Sequence, residues 1–239
     1  MQCTLQDYTA HCRQVFDLPA MGPPPICTNP SPTHLPFSTA DLASALLVFK
    51  GNKASGPSPV PSQLVKHLAP ACVPILSRMF FLVAKAGILA KWNEVRVTPV
   101  FKKGDSRLAS NYRPVSVMGP IAKLYSTCMN MALTRQAADK GWRATTQAGF
   151  RPTYHLEDLV FPVDMLLADA LQKGKGLALC FVDLEKAFDT VPRARLISTL
   201  LHHYNIHPTL VEQVRRMYVN TCGTVAGDTV TFNTTSGVR

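Results

Sequence analysis

The stretch FVDLEKAFDTV (181–191) is the most informative segment of this 239-residue chain, because an apolar run from Leu177 to Val182 leads directly into an acid. A continuous apolar run of this length predicts a buried central β-strand with Asp183 at its carboxyl end. Burial there makes the charge of Asp183 costly unless a cation compensates it. A second acid, Asp189, follows six residues later, and a pair of Mg²⁺ ions requires carboxylates on a rigid strand. The simpler alternative is a strand-end aspartate that caps the following turn.

Positive charge is concentrated in the middle of the chain. Residues 51–150 contain fourteen Lys or Arg residues against three acids, the flanking segments are close to neutral, and the formal net charge of the chain is +10. Such a surplus favours a polyanionic partner, of which nucleic acid is the most common. The alternative that charge alone leaves open is a basic surface that serves only solvation.

The overall composition is that of a folded protein. Hydrophobic residues make up 46% of the chain, which is enough to form the core of one or two domains. The seven cysteines are scattered and include no CxxC pair, which is typical of free thiols in a reducing compartment such as the nucleus or the cytoplasm. No window approaches 18 consecutive apolar residues, so no membrane-spanning segment is predicted.

Local patterns predict the order of the elements around the central motif. A proline-rich stretch (19–36) indicates an extended linker, so the folded part is predicted to begin near Ser38, whose spacing to Asp41 matches a capping box. Periodicity and turn residues predict helices over 73–86, 155–172 and 209–219, helices starting at Pro120 and Pro192, strands at 95–98 and 115–118 joined by the basic turn KKGD (102–105), and a hairpin of 221–226 with 229–233.

Four segments resemble, in the same order, the motif blocks of reverse transcriptases from non-LTR (LINE-type) retrotransposons. FVDLEKAFDTV resembles motif A of that family, in which a hydrophobic strand leads to a metal-binding aspartate and then to Lys-Ala-Phe-Asp. The segment at 52–66 departs from the family, because Ser58-Pro59 stands where the family has Asp-Gly. The resemblance covers about residues 40–239, and its other three segments are NKASGPSPVPSQLVK (52–66), VTPVFKKGDSRLASNYRPVSVM (97–118) and QAGFRPTYHLED (147–158).

The resemblance implies roles for individual residues. It makes Asp183 the catalytic metal ligand, and the main-chain carbonyl of Leu184 a second ligand of Mg²⁺ or, alternatively, Mn²⁺. Taken alone, the basic turn could be a solvated loop, and Arg151 could pin a loop by hydrogen bonds. The remaining implied roles are main-chain contacts to the incoming dNTP from Lys186 and Ala187, exclusion of a sugar 2′-hydroxyl by Phe188, triphosphate binding by Lys102 or Lys103 and by Arg113, a template or fingers contact from Arg151, and a structural role for Asp189.

The fold implied by the resemblance is a right-hand polymerase fold of the α/β (α+β) class. Residues 1–37 are expected to form an N-terminal linker, about 38–172 the fingers and about 173–239 part of the palm. The chain is expected to stop before the Ala-Asp-Asp strand and the thumb, and therefore to be inactive alone. The implied activity is RNA-directed DNA synthesis with an RNA template and a DNA primer. Two rival functions are a non-catalytic nucleic-acid-binding relic and a basic protein-interaction domain.

Overall fold

The computed structural model describes residues 3–16, 35–68, 70–151 and 154–238, so most of the proline-rich stretch lies outside the described residues. By its internal contacts the chain divides into two compact units. The first unit contains the described residues of 1–134 and 186–239, and the second contains those of 135–185. Within the described ranges, no helix has the length and apolar character that crossing a membrane requires.

Helices and strands alternate along the chain, which confirms the mixed α/β class. The π-helical turn Thr199–His203 directly follows the helix Arg193–Ser198. The helices are α1 (Leu5–Phe16), α2 (Thr39–Val48), α3 (Ser62–Lys66), α4 (Val73–Ala86), α5 (Pro120–Asp139), α6 (Glu157–Gln172), α7 (Arg193–Ser198) and α8 (Pro208–Arg216), and the strands are β1 (Glu94–Phe101), β2 (Tyr112–Met118), β3 (Cys222–Val225) and β4 (Thr231–Asn233).

Both predicted hairpins form, and they join in one four-stranded sheet of order β2-β1-β3-β4. β1 pairs with β2 in antiparallel register from Val95 opposite Met118 to Phe101 opposite Tyr112. β3 lies parallel to β1 on its other side and pairs antiparallel with β4. Strands from the predicted fingers and from the predicted palm therefore share a sheet, and β2 and β4 are its edge strands.

Helix α1 belongs to the core of the first unit, although the sequence predicted a linker there. Tyr8, Cys12, Val15 and Phe16 are buried against strand residues Val95, Val97, Val225 and Phe232. The spacing of these four α1 residues matches the helical period. Thr4 and Asp7 form a reciprocal cap, because each backbone N–H donates to the other side chain at 3.2 Å. The folded part therefore begins before Ser38, and the predicted start is corrected to include α1.

An aromatic cluster anchors the helices of the first unit. The rings of Phe80 and Tyr125 meet edge to face at 5.1 Å, and Phe37 and Trp92 pack against both. The hydroxyl of Tyr125 donates to the side-chain oxygen of fully buried Gln213, whose amide nitrogen donates to the carbonyl of Ala84. The predicted capping box at Ser38 and the predicted helix 73–86 are both confirmed.

The Gly/Pro loop before α3 packs against the end of β2. Gly56 has a φ of +57°, and a Cβ atom on it would lie 2.6 Å from the carbonyl oxygen of Val117. Beside it, a Cβ atom on Gly119 would lie 3.1 Å from the Cβ of Ser58. Close backbone approach and a left-handed conformation both require glycine at position 56. The loop therefore keeps a close fit to the sheet although Ser58-Pro59 replaces the Asp-Gly of the resembling family.

Gly56→Ala is expected to lower the free energy of unfolding by about 2 kcal/mol, from left-handed backbone strain together with the contact to Val117. The matched control is Gly141→Ala, because Gly141 has a φ of +63° and nothing within 4 Å of a Cβ atom. The control should lose only the conformational part, about 1 kcal/mol. Urea denaturation followed by circular dichroism measures both variants. Equal losses would show that the contact with Val117 does not restrict position 56.

The predicted buried strand at 177–182 is wrong. Leu179, Phe181 and Val182 are 43%, 85% and 83% exposed, and the residues lie in no strand. In the described part of the chain, residues 177–185 make no backbone hydrogen bond. A buried strand needs hydrogen-bonding neighbours at its edges and cover on its faces, and the second unit supplies neither in its described residues. The preceding helix α6 forms as predicted, with Pro162 inside it.

Candidate nucleic-acid interface

The β1–β2 hairpin, with its turn at residues 102–111, presents cations on one face. Arg113 lies opposite Val100 in the register, and the backbone N–H of Lys102 donates to the carbonyl of Asn111 at 2.9 Å. Because side chains alternate between the two faces, Lys102 and Arg113 share one face. Phe101 and Tyr112 occupy the other face, where their rings meet at 5.4 Å. Tyr112 also contacts Tyr8 of α1, so the cations lie on the face away from α1.

The turn itself is held by an internal ion pair. Arg107 binds both carboxylate oxygens of Asp105 through Nε and Nη2, at 2.7–3.0 Å. The hydrogen bonds from Arg107 lower the pKa of Asp105. Asn111 donates to the carbonyl of Asp105 at 2.8 Å and closes the turn. The only acid of the KKGD turn is therefore already paired with Arg107.

The other cations of the hairpin are available to a ligand. Lys102, Lys103 and Arg113 are all exposed. Within the described ranges, their side chains form no ion pair or hydrogen bond with the protein. An exposed strand–turn–strand element with such cations suits phosphate groups, and the guanidinium of Arg113 can bind two phosphate oxygens at once.

Residues 186–191 form a tight turn that the segment 236–238 holds in place. The N–H of Val238 donates to the carbonyl of Phe188 at 2.9 Å, and the N–H of Gly237 donates to Val191 at 3.0 Å. Lys186 has a φ of +50°, and its carbonyl accepts from the N–H groups of Asp189 and Thr190. The N–H groups of Lys186 and Ala187 donate to no acceptor in the described part of the chain, so the turn can offer them to an anion.

Asp189 occupies a half-buried position beside α1. Burial raises the pKa of its carboxyl, and the nearby charge of Lys186 lowers it in part. Burial also lowers the pKa of His11 on α1, with a further contribution from Lys186. The hydroxyl of Ser236 donates to the Asp189 carbonyl at 3.2 Å. Asp189 is thus enclosed by the structure, an environment that suits the structural role that the resemblance implies.

Arg193 is a buried cation that sequence reasoning did not single out. Its guanidinium donates to the carbonyls of Gly237, Ser236, Thr234 and Tyr218 and to the hydroxyls of two threonines, Thr221 and Thr234. It also lies over the Tyr218 ring, 5.2 Å from the centroid. This one side chain therefore fixes the segment that holds the 186–191 turn. The sequence signal was only an arginine after Pro192 at a helix start.

Asp183 and Leu184 lie in the second unit and are exposed, whereas Lys186, Ala187 and Phe188 belong to the first. A carboxylate and a main-chain carbonyl are suitable oxygen ligands for Mg²⁺, which takes few protein ligands and completes its shell with water and phosphates. In the described residues, no cluster of three His, Cys, Asp or Glu side chains could hold a metal ion. The role of Asp183 and Leu184 as metal ligands stays a prediction. Phe188 is 58% exposed and is therefore not a core residue.

Arg151 pins its own loop. Its Nη1 atom donates to the carbonyls of Ala144 and Gln147 at 3.1 Å, and its guanidinium lies 4.1 Å from the ring centroid of Tyr154. The alternative that Arg151 holds a loop in place by hydrogen bonds is therefore confirmed. A template contact from Arg151 remains a prediction. The neighbouring Phe150 is 89% exposed with a φ of +58°.

These features define a mixed α/β chain with an exposed basic hairpin. No family model matches it. Over 186 residues the chain is 29% identical to the uncharacterized 149 kDa protein of transposon TX1 from Xenopus laevis. The aligned part makes up 77% of this chain and 14% of that protein, so the chain spans a small part of its relative's length. The similarity supports the transposon part of the resemblance and specifies no domain.

Proposed function

We propose that the chain is the fingers and part of the palm of a LINE-type reverse transcriptase with the right-hand polymerase fold. The observation that carries the proposal is the basic hairpin, whose exposed cations Lys102, Lys103 and Arg113 have no protein partner in the described residues. A relative encoded by a transposon adds support. The partners are an RNA template, a DNA primer and dNTPs.

In this proposal the residues have separate roles in binding the incoming nucleotide. The hairpin cations bind the triphosphate, and the N–H groups of Lys186 and Ala187 line it from the 186–191 turn. Phe188 stands where its ring meets the sugar 2′-position, and Arg151 contacts the template or the fingers from the loop that it pins. Asp183 and the carbonyl of Leu184 bind Mg²⁺, or alternatively Mn²⁺. The metal, when bound, activates the primer 3′-hydroxyl and neutralises charge on the phosphates.

We expect the unsubstituted chain to bind RNA through its phosphates. The logarithm of the affinity for a 20-nucleotide RNA should fall linearly with the logarithm of the salt concentration. Changing Lys102, Lys103 and Arg113 together to alanine should reduce this slope by about 2, since each phosphate contact on a single strand contributes about 0.7. Fluorescence anisotropy over a series of KCl concentrations measures the slope.

The matched control for this test removes three other exposed cations, Lys85, Lys91 and Lys140, and should leave the slope nearly unchanged. If both triple variants lose the same amount, binding follows net charge and not the hairpin. Absence of salt-dependent RNA binding in the unmodified chain would instead favour the basic protein-interaction domain. A catalytic protein and a non-catalytic relic both bind RNA, and they are separated by the Asp183 experiment described in the Discussion.

A further inference from the structure

The first unit contains a pocket of about 510 Å³ that none of the proposed site residues line. It lies between the end of α2, the 50–54 loop, the end of β2, the start of α5 and the residues that follow α8. Its volume falls within the range of pockets that bind small molecules, roughly 300–1,000 Å³. Val117 lines it, four residues beyond Arg113 on β2, which places the pocket about 13 Å along the strand from that cation.

Three lysines line this pocket, which we call the lysine pocket: Lys50, Lys53 and Lys123. Among the lining residues that the structure describes, none is an aspartate or a glutamate. All three lysines are exposed, and in the described part of the chain none forms an ion pair or donates a side-chain hydrogen bond. Three ammonium groups around one concave space, without a balancing acid, favour a ligand with more than one negative charge.

The rest of the lining has a different chemical character. Phe49, Met118, Met217 and Tyr218 supply apolar and aromatic surface, and Ser116 adds a hydroxyl group. An apolar wall beside a group of cations matches a ligand with a flat, weakly polar ring at one end and phosphate at the other. Side chains of this kind accept a nucleobase by stacking or flat contact, without demanding a particular base.

The pocket walls are fixed by contacts already present in the fold. The ammonium group of Lys66 on α3 donates to the carbonyl of Leu47 near the end of α2, at 2.9 Å. The loop carrying Lys53 is held against β2 by the close approach of Gly56 to Val117. Lys123 projects from the first turns of α5, immediately after β2. A pre-formed wall reduces the entropy that a ligand must lose on binding.

We propose that the lysine pocket binds a nucleoside phosphate, with the phosphate on Lys50, Lys53 and Lys123 and the base on the apolar wall. The nucleotide is either free or one unit of a single strand, because both present the same chemistry. The site is separate from the β1–β2 turn, so it does not depend on the proposed polymerase function.

The test uses the whole chain and adenosine diphosphate in the absence of Mg²⁺, with binding measured by isothermal titration calorimetry. Lys50→Met, Lys53→Met and Lys123→Met together should weaken binding at least about tenfold, because charge-assisted phosphate contacts are lost while the side-chain stems remain. The control carries Lys85→Met, Lys91→Met and Lys140→Met, which lowers the net charge equally and should change the affinity less than about twofold. Thermal melts of both variants confirm that they are folded.

Competition with a 10-nucleotide RNA distinguishes the two sources of the nucleotide. The natural occupant is a nucleotide within a strand if the RNA displaces adenosine diphosphate and also binds more weakly to the triple variant of Lys50, Lys53 and Lys123. If the RNA binds without displacing it, the occupant is a free nucleotide. Either result supports the proposal. The triple alanine variant of Lys102, Lys103 and Arg113 tests the hairpin alone. A loss of RNA binding in that variant does not change the result expected for adenosine diphosphate.

A footprint on the unmodified protein avoids any effect of substitution on folding. Acetylation by an N-hydroxysuccinimide ester, followed by mass spectrometry, should show protection of Lys50, Lys53 and Lys123 by adenosine diphosphate. Lys85 and Lys91 should react equally with and without the nucleotide. The proposal is overturned by non-saturable binding, by equal loss of affinity in both triple variants, or by the absence of protection at the pocket lysines.

Discussion

Arg193→Ala is expected to lower the free energy of unfolding by about 4 kcal/mol, the largest effect on stability that we expect from a single substitution. The side chain is 9% exposed, and its guanidinium is the shared donor for the carbonyls of Tyr218, Thr234, Ser236 and Gly237. Alanine leaves these buried acceptors without that donor, and each loss carries a desolvation cost. Urea denaturation with circular dichroism detection gives the free energy directly.

Two further variants show whether charge or geometry matters at this position. Arg193→Lys keeps the charge but cannot reproduce the planar array of donors, so we expect a loss of about half the alanine value. Arg195→Ala removes an exposed arginine from the same helix and should change stability by less than about 0.5 kcal/mol. A loss below about 1 kcal/mol for Arg193→Ala would mean that water replaces the guanidinium without penalty.

Asp183→Asn is expected to lower the rate of nucleotide incorporation about 1000-fold in a longer protein that contains this chain with the remaining polymerase motifs. The amide keeps the shape of the side chain but removes the negative charge, and the proposed metal ligand is weakened. Because Asp183 is exposed, the substitution should leave the melting temperature unchanged. Incorporation of labelled dNTP on a primed RNA template measures the rate.

The control for Asp183 is the exposed acid two residues away, and Glu185→Gln should retain nearly full activity. If both substitutions lower the rate equally, the local charge matters and Asp183 is not a specific ligand. Unchanged activity in Asp183→Asn would remove the residue from the site and weaken the alignment with motif A. No incorporation by the unsubstituted longer protein would favour the nucleic-acid-binding relic.

Elements specified by local signals were predictable from the sequence. The helix at 73–86, the capping box at Ser38 and both hairpins were predicted because periodicity, caps and turn glycines act over a few residues. The parallel pairing of β1 with β3 was not predicted, since their partner residues are more than one hundred positions apart. Helix α1 had a local signal in Thr4 and Asp7, but the proline-rich stretch after it obscured that signal.

The candidate site was predictable in its residue types and less so in its surroundings. The exposed positions of Lys102, Lys103 and Arg113 follow from a basic turn between two strands. The burial expected for the 177–182 run does not follow from its composition, because a strand depends on neighbours that no local pattern specifies. The contacts of Arg193 join residues 25 to 44 positions apart, so they too lie beyond the reach of a local pattern.

The packing of α1 has a consequence for protein synthesis. Phe16 at the end of α1 accepts hydrogen bonds from Thr235 and Ser236, and its ring stacks on Phe232 at 6.0 Å. Residues of α1 leave the ribosome before those of β4, and at ordinary elongation rates they wait about 10–40 s for that strand. During that interval the apolar face of α1 is open to solvent, which makes the nascent chain a candidate substrate for chaperones that bind chains during translation.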